Sequence, residues 1–138
     1  FNYVHIGLND LHIERGTVSM FEPYIDGLLD KVTSTLYKNN QTFGIGGIGR
    51  MGSKLSPSPE SVLNEHLRLN SAGVILSRSF KGVFQERKKD IFKKELSKSV
   101  QDLRSYEKLA RTFDTKRLMD SHKLMRLEIH EAVQNAKL

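Results

Sequence analysis

Cysteine and tryptophan are absent from this sequence of 138 residues, and proline occurs only three times. Without cysteine the chain can form no disulfide framework, no Cys-ligated zinc or iron–sulfur site and no thiol nucleophile. The longest apolar run, residues 72–76, is too short to span a bilayer. The first residues also lack the basic and apolar regions of a secretory signal. We therefore expect a cytoplasmic protein that does not bind membranes.

Basic residues outnumber acidic ones, but only in the second part of the chain. The net charge is +6, with 22 Lys and Arg against 16 Asp and Glu. Residues 1–80 hold seven of each sign, whereas residues 81–138 hold fifteen basic and nine acidic residues. Because the charge balance changes so sharply, we predict a structural boundary between these two parts.

Three short apolar runs in the first part alternate with helical patterns. The runs lie near residues 1–6, 42–47 and 72–77 and are predicted to be strands. Apolar residues at helical spacing predict one helix over residues 21–40 and another that Ser58 caps. Strands that alternate with helices form parallel sheets, so we predict a βαβαβ unit whose third strand is buried on both faces.

The basic second part predicts two amphipathic helices, over residues 88–113 and 115–136. Asp114 lies between them and is a good N-cap for the second helix. Each helix carries a long apolar stripe that needs a partner. The helices therefore either fold back on each other or dock on something larger.

A glycine pattern, G-x-G-x-x-G, occurs at residues 44–49. In a dinucleotide-binding fold this pattern opens a helix at once, because the helix N-terminus holds the pyrophosphate. Here Gly52, Pro57 and Pro59 follow, so no helix can start in time. The same reason argues against a P-loop at residues 47–54. The pattern instead indicates a strand that a neighbouring backbone or a ligand approaches closely.

The segment HIGLNDLH, residues 5–12, places a carboxylate three residues after a strand that ends in Gly7. A loop of this kind presents backbone N–H groups at the carboxyl end of a parallel sheet, where ligands bind in α/β folds. There Asp10 would ligate a hard divalent cation while the amides hold a substrate carboxylate. Alternatively, Asp10 only caps the short helix that follows.

Two arginines follow strands directly and are expected at the same edge of the sheet. Arg50 follows the second strand and Arg78 the third, where a guanidinium can clamp a carboxylate or phosphate group. Alternatively, both are solvated or form ion pairs at the rim of the fold. The histidines are interpreted as structural, because none lies in a pattern typical of a metal site: His5, His66, His122 and His130.

Three segments resemble a known family, the metal-dependent aldolases of the citrate lyase β-subunit type, which belong to the phosphoenolpyruvate/pyruvate-binding barrels. Residues 5–11, HIGLNDL, resemble the family's G-P-x-D-L segment, with Leu8 in place of the usual Pro. Residues 43–50 and 72–80 resemble its next two strands. The resemblance implies an α/β fold, the C-terminal portion of a (β/α)8 TIM barrel with about three parallel strands, followed by a C-terminal two-helix extension. A full barrel takes about 250 residues, so we expect the chain to be part of a longer enzyme.

The resemblance also implies an activity and a site. The activity is that of a metal-dependent carbon–carbon lyase or aldolase acting on a 2-oxo acid of the pyruvate type, and we expect the part given to be inactive alone. Asp10 would bind Mg²⁺ or Mn²⁺ together with a Glu from a strand that precedes Phe1. The substrate-binding residues implied or expected are Gly7, Leu8, Asn9, Asp10, Arg50 and Arg78.

An alternative reading makes the chain a non-catalytic helical module that binds a protein partner or nucleic acid through its basic tail. Acidic residues interleave with the basic ones, as in Lys93-Lys94-Glu95, which disfavours nucleic acid. The long apolar stripes of the tail favour a homo-oligomer assembled through the C-terminal helices.

Overall fold

The computed structural model describes residues 2–80 and 89–137, and these residues form a mixed α/β structure with one parallel sheet. The strands are β1 (Tyr3–Gly7), β2 (Thr42–Ile48) and β3 (Gly73–Leu76). The α-helices are α1 (Leu8–Arg15), α2 (Leu28–Lys38), α3 (Pro59–Arg68), α4 (Lys89–Ala110) and α5 (Thr115–Ala136), and 3₁₀ helices cover Glu22–Tyr24 and Arg78–Phe80.

The sheet has the order β1-β2-β3, and both neighbouring pairs are parallel. Tyr3 pairs with Thr42, and Gly44 pairs with Gly73. The predicted parallel βαβαβ arrangement is therefore confirmed at the level of three strands with helices between them. The carboxyl ends of all three strands meet at one edge of the sheet.

The two faces of the sheet are covered very differently. Phe43 and Ile45 are fully buried against the helices. On the opposite face, Tyr3 and Ile75 are about half exposed, at 49% and 54%. The prediction that the third strand is buried on both faces is wrong, because the described helices pack on one face only and leave Ile75 uncovered.

Glycines on the open face allow two ring-bearing side chains to lie close to the sheet. A Cβ atom on Gly44 would overlap the Tyr3 hydroxyl and lie 2.7 Å from the carbonyl oxygen of Gly73. A Cβ on Gly46 would lie 2.9 Å from Nε2 of His5. These two glycines thus provide the close approach that the glycine pattern indicated, and the approaching groups are Tyr3 and His5.

The helix predicted over residues 21–40 is interrupted. Gly27 adopts a positive φ of 87°, which favours glycine, and α2 begins only at the next residue. The Asp26 carboxylate accepts a hydrogen bond from the Leu28 N–H at 2.9 Å. The Asp-Gly pair therefore separates the 3₁₀ helix from α2, and the prediction of one continuous helix is wrong.

Local capping follows the sequence at two other helices. Ser58 Oγ accepts a hydrogen bond from the Ser61 N–H at 3.2 Å at the start of α3. Asp114 Oδ1 accepts one from the Arg117 N–H at 2.8 Å at the start of α5. Both predicted N-caps are confirmed.

The two long helices of the tail pack on α3. Leu103 of α4 and Met125 and Ile129 of α5 are buried in the same core as Leu63 of α3 and the strand residue Ile45. Of the two alternatives, the tail helices therefore dock on the α/β part. None of the described helices is both long and apolar enough to cross a lipid bilayer.

Candidate active site and buried polar network

Asp10 lies at the carboxyl end of β1, in the first turn of a helix. The segment after β1 was expected to be a loop, but α1 begins directly at Leu8 with Gly7 as its N-cap residue. Asp10 Oδ2 lies 3.3 Å from the position a Cβ on Gly7 would take, so Gly7 leaves room for the carboxylate. Asp10 is therefore not the N-cap, and its charge is favourably placed near the positive end of the helix.

The backbone of the same turn can bind an anion. The first N–H groups of a helix have no partner within the helix, and the dipole favours a negative group there. Asn9 and Asp10 are exposed, whereas the Leu8 side chain is 1% exposed and belongs to the core. Leu8 can contact a ligand only through its amide.

The turns after β2 and β3 are joined by hydrogen bonds. The Ser77 N–H donates to the Ile48 carbonyl oxygen at 2.9 Å, and the Arg50 N–H donates to Ser79 Oγ at 3.3 Å. Arg50 is half-buried, and Arg78 is exposed in the 3₁₀ helix that follows β3. Both arginines thus start from the edge of the sheet at which Asp10 lies.

A metal ion needs more ligands than this edge supplies. Within residues 2–80 and 89–137, no three His, Asp or Glu side chains are grouped so that they could hold a metal ion. Asp10 is a hard oxygen ligand of the type that Mg²⁺ and Mn²⁺ prefer, but one carboxylate does not make a site. The described residues therefore do not fit a complete metal centre.

The most extensive polar network lies elsewhere, on three consecutive residues of α3. Asn64, Glu65 and His66 are all buried in the interior, at 7%, 0% and 2% exposure. Buried polar groups persist when they are hydrogen-bonded, and each of the three finds partners on other elements. The sequence indicates a structural His66, but no local pattern indicates that all three positions act together.

Glu65 is the centre of an ion network. Its carboxylate accepts hydrogen bonds from the Arg68 guanidinium, the shortest at 2.7 Å, and from His122 Nδ1 at 2.9 Å. Arg68 also binds Asp30 of α2 with two bonds, at 2.6 and 3.3 Å. Hydrogen bonding to Arg68 lowers the pKa of Asp30. The network therefore links α2, α3 and α5.

His66 lies in a chain of hydrogen bonds whose directions can be deduced. The Ser71 hydroxyl donates its only hydrogen to the Gly73 carbonyl at 3.0 Å, so it accepts the bond from His66 Nδ1 at 2.9 Å. His66 Nε2 is then the acceptor that faces the Tyr24 hydroxyl at 3.4 Å. Burial lowers the pKa of His66 to about 4 and raises that of Tyr24. The imidazole is thus neutral with a defined tautomer.

Asn64 joins both tail helices to α3. The Tyr106 hydroxyl of α4 donates to Asn64 Oδ1 at 3.0 Å, and Asn64 Nδ2 donates to Ser121 Oγ of α5 at 2.9 Å. His122, the next residue on α5, is the partner of Glu65. The interpretation of His122 as structural is therefore confirmed, whereas His130, interpreted in the same way, is exposed.

Comparison with known proteins found no relatives. No family model matches the chain, and neither a curated protein nor a solved structure gives a significant match. The resemblance of residues 5–11, 43–50 and 72–80 to the aldolase/citrate lyase family therefore stays a prediction.

Proposed function

We propose that the chain is the C-terminal portion of a (β/α)8 barrel enzyme, a metal-dependent carbon–carbon lyase that acts on a 2-oxo acid. The observation that carries the proposal is the position of Asp10, an exposed carboxylate at the carboxyl end of β1 and beside helix N–H groups. Active sites of (β/α)8 barrels lie at this end of the strands. The half-exposed sheet face around Tyr3 and Ile75 supports the barrel, because parallel sheets are normally covered on both faces.

The residues of this chain would bind and orient the substrate. The amides of Leu8, Asn9 and Asp10 would hold the carboxylate of the 2-oxo acid at the helix N-terminus. Arg50 and Arg78 would contact the part of the substrate that extends over β2 and β3. A bound Mg²⁺ or Mn²⁺ would supply Lewis acidity toward the enolate, and its remaining ligands must come from outside the described residues.

A substitution of Asp10 tests this proposal. In the protein that carries this chain, purified at its natural length, Asp10→Asn is expected to lower Mn²⁺ affinity at least tenfold, measured by electron paramagnetic resonance. Metal-dependent pyruvate binding, measured by calorimetry, should be lost with it. The reason is that an amide is a much poorer ligand for a hard cation than a carboxylate.

Glu14→Gln is the matched control, because Glu14 is an exposed acidic residue on the same helix but at its other end. It should leave both affinities unchanged. Equal affinities of the wild-type and Asp10→Asn proteins, or an equal effect of the two substitutions, would refute the proposed role of Asp10.

A second candidate function is association through α5. Leu124 and Leu127 are 62% and 66% exposed on the outer face of α5. Because they are three residues apart on a helix, they are neighbours and form one apolar patch. Helix α5 holds four basic and three acidic residues, a balance that attracts nucleic acid little, so the candidate is a homo-oligomer interface. Leu127→Ser is expected to reduce the sedimentation coefficient at high protein concentration if the patch is buried between copies.

A further inference from the structure

A cavity lies between α3, α4 and β3, and we call it the α3–α4 cavity. Its volume is about 290 Å³, close to the lower limit of about 300 Å³ for small-molecule sites in proteins. Helix α4 forms one wall with a single stripe of side chains at helical spacing: Val100, Leu103, Arg104, Glu107 and Arg111. None of the described residues assigned to the substrate or the metal ion lines this cavity.

The deep part of the cavity is aliphatic. Leu63 of α3 and Leu103 of α4 are buried, and two further lining residues, Leu67 and Val74, are half-buried. Apart from the imidazole of His66, the lining contains no aromatic ring on which a flat ligand could stack. The walls therefore suit an alkyl chain, which is stabilised by leaving water.

The polar side chains on the α3 side of the cavity have no hydrogen left for a ligand. The Ser71 hydroxyl donates its only hydrogen to the Gly73 carbonyl, and His66 Nδ1 donates to Ser71. His66 Nε2 carries no hydrogen and faces the Tyr24 hydroxyl. Because burial lowers the pKa of His66 to about 4, the imidazole is also uncharged at neutral pH. The charged end of a ligand therefore finds no partner in this part of the cavity.

The opposite, α4 side of the cavity is charged and open to solvent. Arg104 donates to Glu107 Oε1 at 2.8 Å, and Arg111 donates to Glu107 Oε2 at 2.7 Å. The two guanidinium groups are largely exposed, whereas the Glu107 side chain is 21% exposed. Hydrogen bonds from Arg104 and Arg111 lower the pKa of Glu107, so its carboxylate is ionised. Two positive charges thus face one negative charge.

Both guanidinium groups keep hydrogen-bond donors for a ligand. Each has five N–H groups, and the bonds to Glu107 use one of them on Arg104 and two on Arg111. Among residues 2–80 and 89–137, neither arginine has another acidic partner. An anion at this end of the cavity would therefore gain both charge and donors.

We propose that the α3–α4 cavity binds an aliphatic monocarboxylate. Its alkyl chain lies among the aliphatic side chains of α3 and β3, and its carboxylate accepts hydrogen bonds from Arg104 and Arg111. A single anionic charge fits best, because one positive charge is unbalanced and the Glu107 carboxylate would repel a dianion such as phosphate. The small volume limits the chain to a few carbon atoms. The proposal does not rest on the proposed function.

A series of short fatty acids tests the cavity directly. The protein at its natural length is titrated with acetate, butanoate and hexanoate at neutral pH and low ionic strength, and binding is followed by calorimetry. The affinity should rise about fourfold for each added CH₂ group, as expected when a methylene leaves water. 1-Hexanol keeps the chain but lacks the charge, so it should bind about tenfold more weakly than hexanoate.

Substitutions at the charged side separate the carboxylate from the chain. Arg104→Gln and Arg111→Gln should each weaken hexanoate binding about fivefold and leave 1-hexanol binding unchanged, because only the carboxylate contacts the guanidinium groups. Lys98→Gln is the matched control. Lys98 is also an exposed cation of α4 paired with an acidic residue, Asp102, but it does not line the cavity. It should leave both affinities unchanged.

Filling the cavity should block both ligands. Val100→Phe adds a ring to the lining, so hexanoate and 1-hexanol should both fail to bind to a variant whose urea midpoint stays close to that of wild type. Undiminished hexanoate binding to this folded variant would overturn the proposal. If Val100→Phe does not fold, the arginine variants decide.

Other outcomes would also overturn the proposal. They are the absence of hexanoate binding to the wild-type protein, an affinity that does not rise along the series of acids, and equal effects of Arg104→Gln and Lys98→Gln. Asp10→Asn should leave the hexanoate affinity unchanged, so the cavity and the proposed metal site can fail separately.

Discussion

His122 Nδ1 of α5 lies 2.9 Å from Oε1 of the fully buried Glu65 of α3. The same carboxylate is bound by Arg68, whose side chain is only 13% exposed. Two donors on two helices therefore share one acceptor, and Arg68 also binds Asp30. A buried charge that loses its partner destabilises the fold strongly, whereas exposed ion pairs contribute little.

Removing that acceptor should be costly. Glu65→Leu removes the carboxylate that accepts hydrogen bonds from Arg68 and His122. We therefore expect the free energy of unfolding to fall by about 3 kcal/mol, measured by urea denaturation. Asp102→Ala is the control, because it breaks the exposed Lys98–Asp102 pair and should cost less than about 0.5 kcal/mol. Similar losses for both variants would show that Glu65 is no more important than a surface residue.

Stability should decrease as the pH falls through the range set by His66. Its pKa is lowered by burial from an ordinary value of 6.5 to about 4, so the unfolded chain takes up this proton first. The contribution of neutral His66 is complete above pH 6.5 and is lost between pH 6.5 and 4. It amounts to at most about 3 kcal/mol. The measurement is the urea midpoint as a function of pH.

His66→Gln is the variant that isolates this contribution. Glutamine keeps hydrogen-bonding capacity toward Tyr24 and Ser71 but does not titrate in this range. The variant should be less stable than wild type at pH 7 and lose less stability between pH 6.5 and 4. An unchanged pH profile would assign the acid sensitivity to other groups.

The buried and exposed faces of α5 should respond differently to the same kind of change. Ile129 is 1% exposed and Leu127 is 66% exposed. Ile129→Ala is expected to cost about 2–4 kcal/mol because it leaves a cavity between α5 and the core. Leu127→Ala should stay within about 0.5 kcal/mol of wild type. Thermal and urea unfolding would check both variants. A larger loss of stability for Leu127→Ala than for Ile129→Ala would show that the opposite face of α5 packs on α3.

Gly44 should tolerate no side chain. A Cβ there meets the Tyr3 hydroxyl and, at 2.7 Å, the Gly73 carbonyl oxygen, so Gly44→Ala must separate β2 from β3. We expect a loss of about 2 kcal/mol, as for other overpacked interiors. Thr42→Ala, at an exposed position of the same strand, is the control. Tyr3→Ala removes the contact with the Tyr3 hydroxyl but not the one with the Gly73 carbonyl oxygen. The double variant Tyr3→Ala/Gly44→Ala should therefore recover only part of the stability that Gly44→Ala loses.

Much of the fold could be predicted from short stretches of sequence. The strands were recognisable from their apolar runs, and the caps Ser58 and Asp114 act on N–H groups three residues away. The predicted start of α2 is wrong because apolar residues keep the helical spacing on both sides of Gly27. The positive φ of Gly27 interrupts the helix there, and the spacing does not show this. The start of α1 was misplaced, because the short helix was expected to follow Asp10, whereas α1 begins at Leu8 with Gly7 as its N-cap.

The candidate sites were harder to predict. Asp10 could be singled out because it follows a strand that ends in glycine, a local pattern. The contact between Glu65 and His122 joins residues 57 positions apart, and it depends on how α5 docks on α3. The bond from Arg50 to Ser79 spans 29 positions and likewise depends on the pairing of strands. A local sequence pattern does not indicate contacts between residues so far apart in the chain.

The three adjacent buried polar residues of α3 also constrain how the gene can change. Each residue of an α-helix is rotated by about 100° from the one before, so inserting or deleting one residue ahead of Asn64 would turn all three side chains away from their partners together. A substitution at one position would disturb only the partners of that residue. The length of α3 should therefore be among the least variable properties of this protein, even where its exposed residues differ.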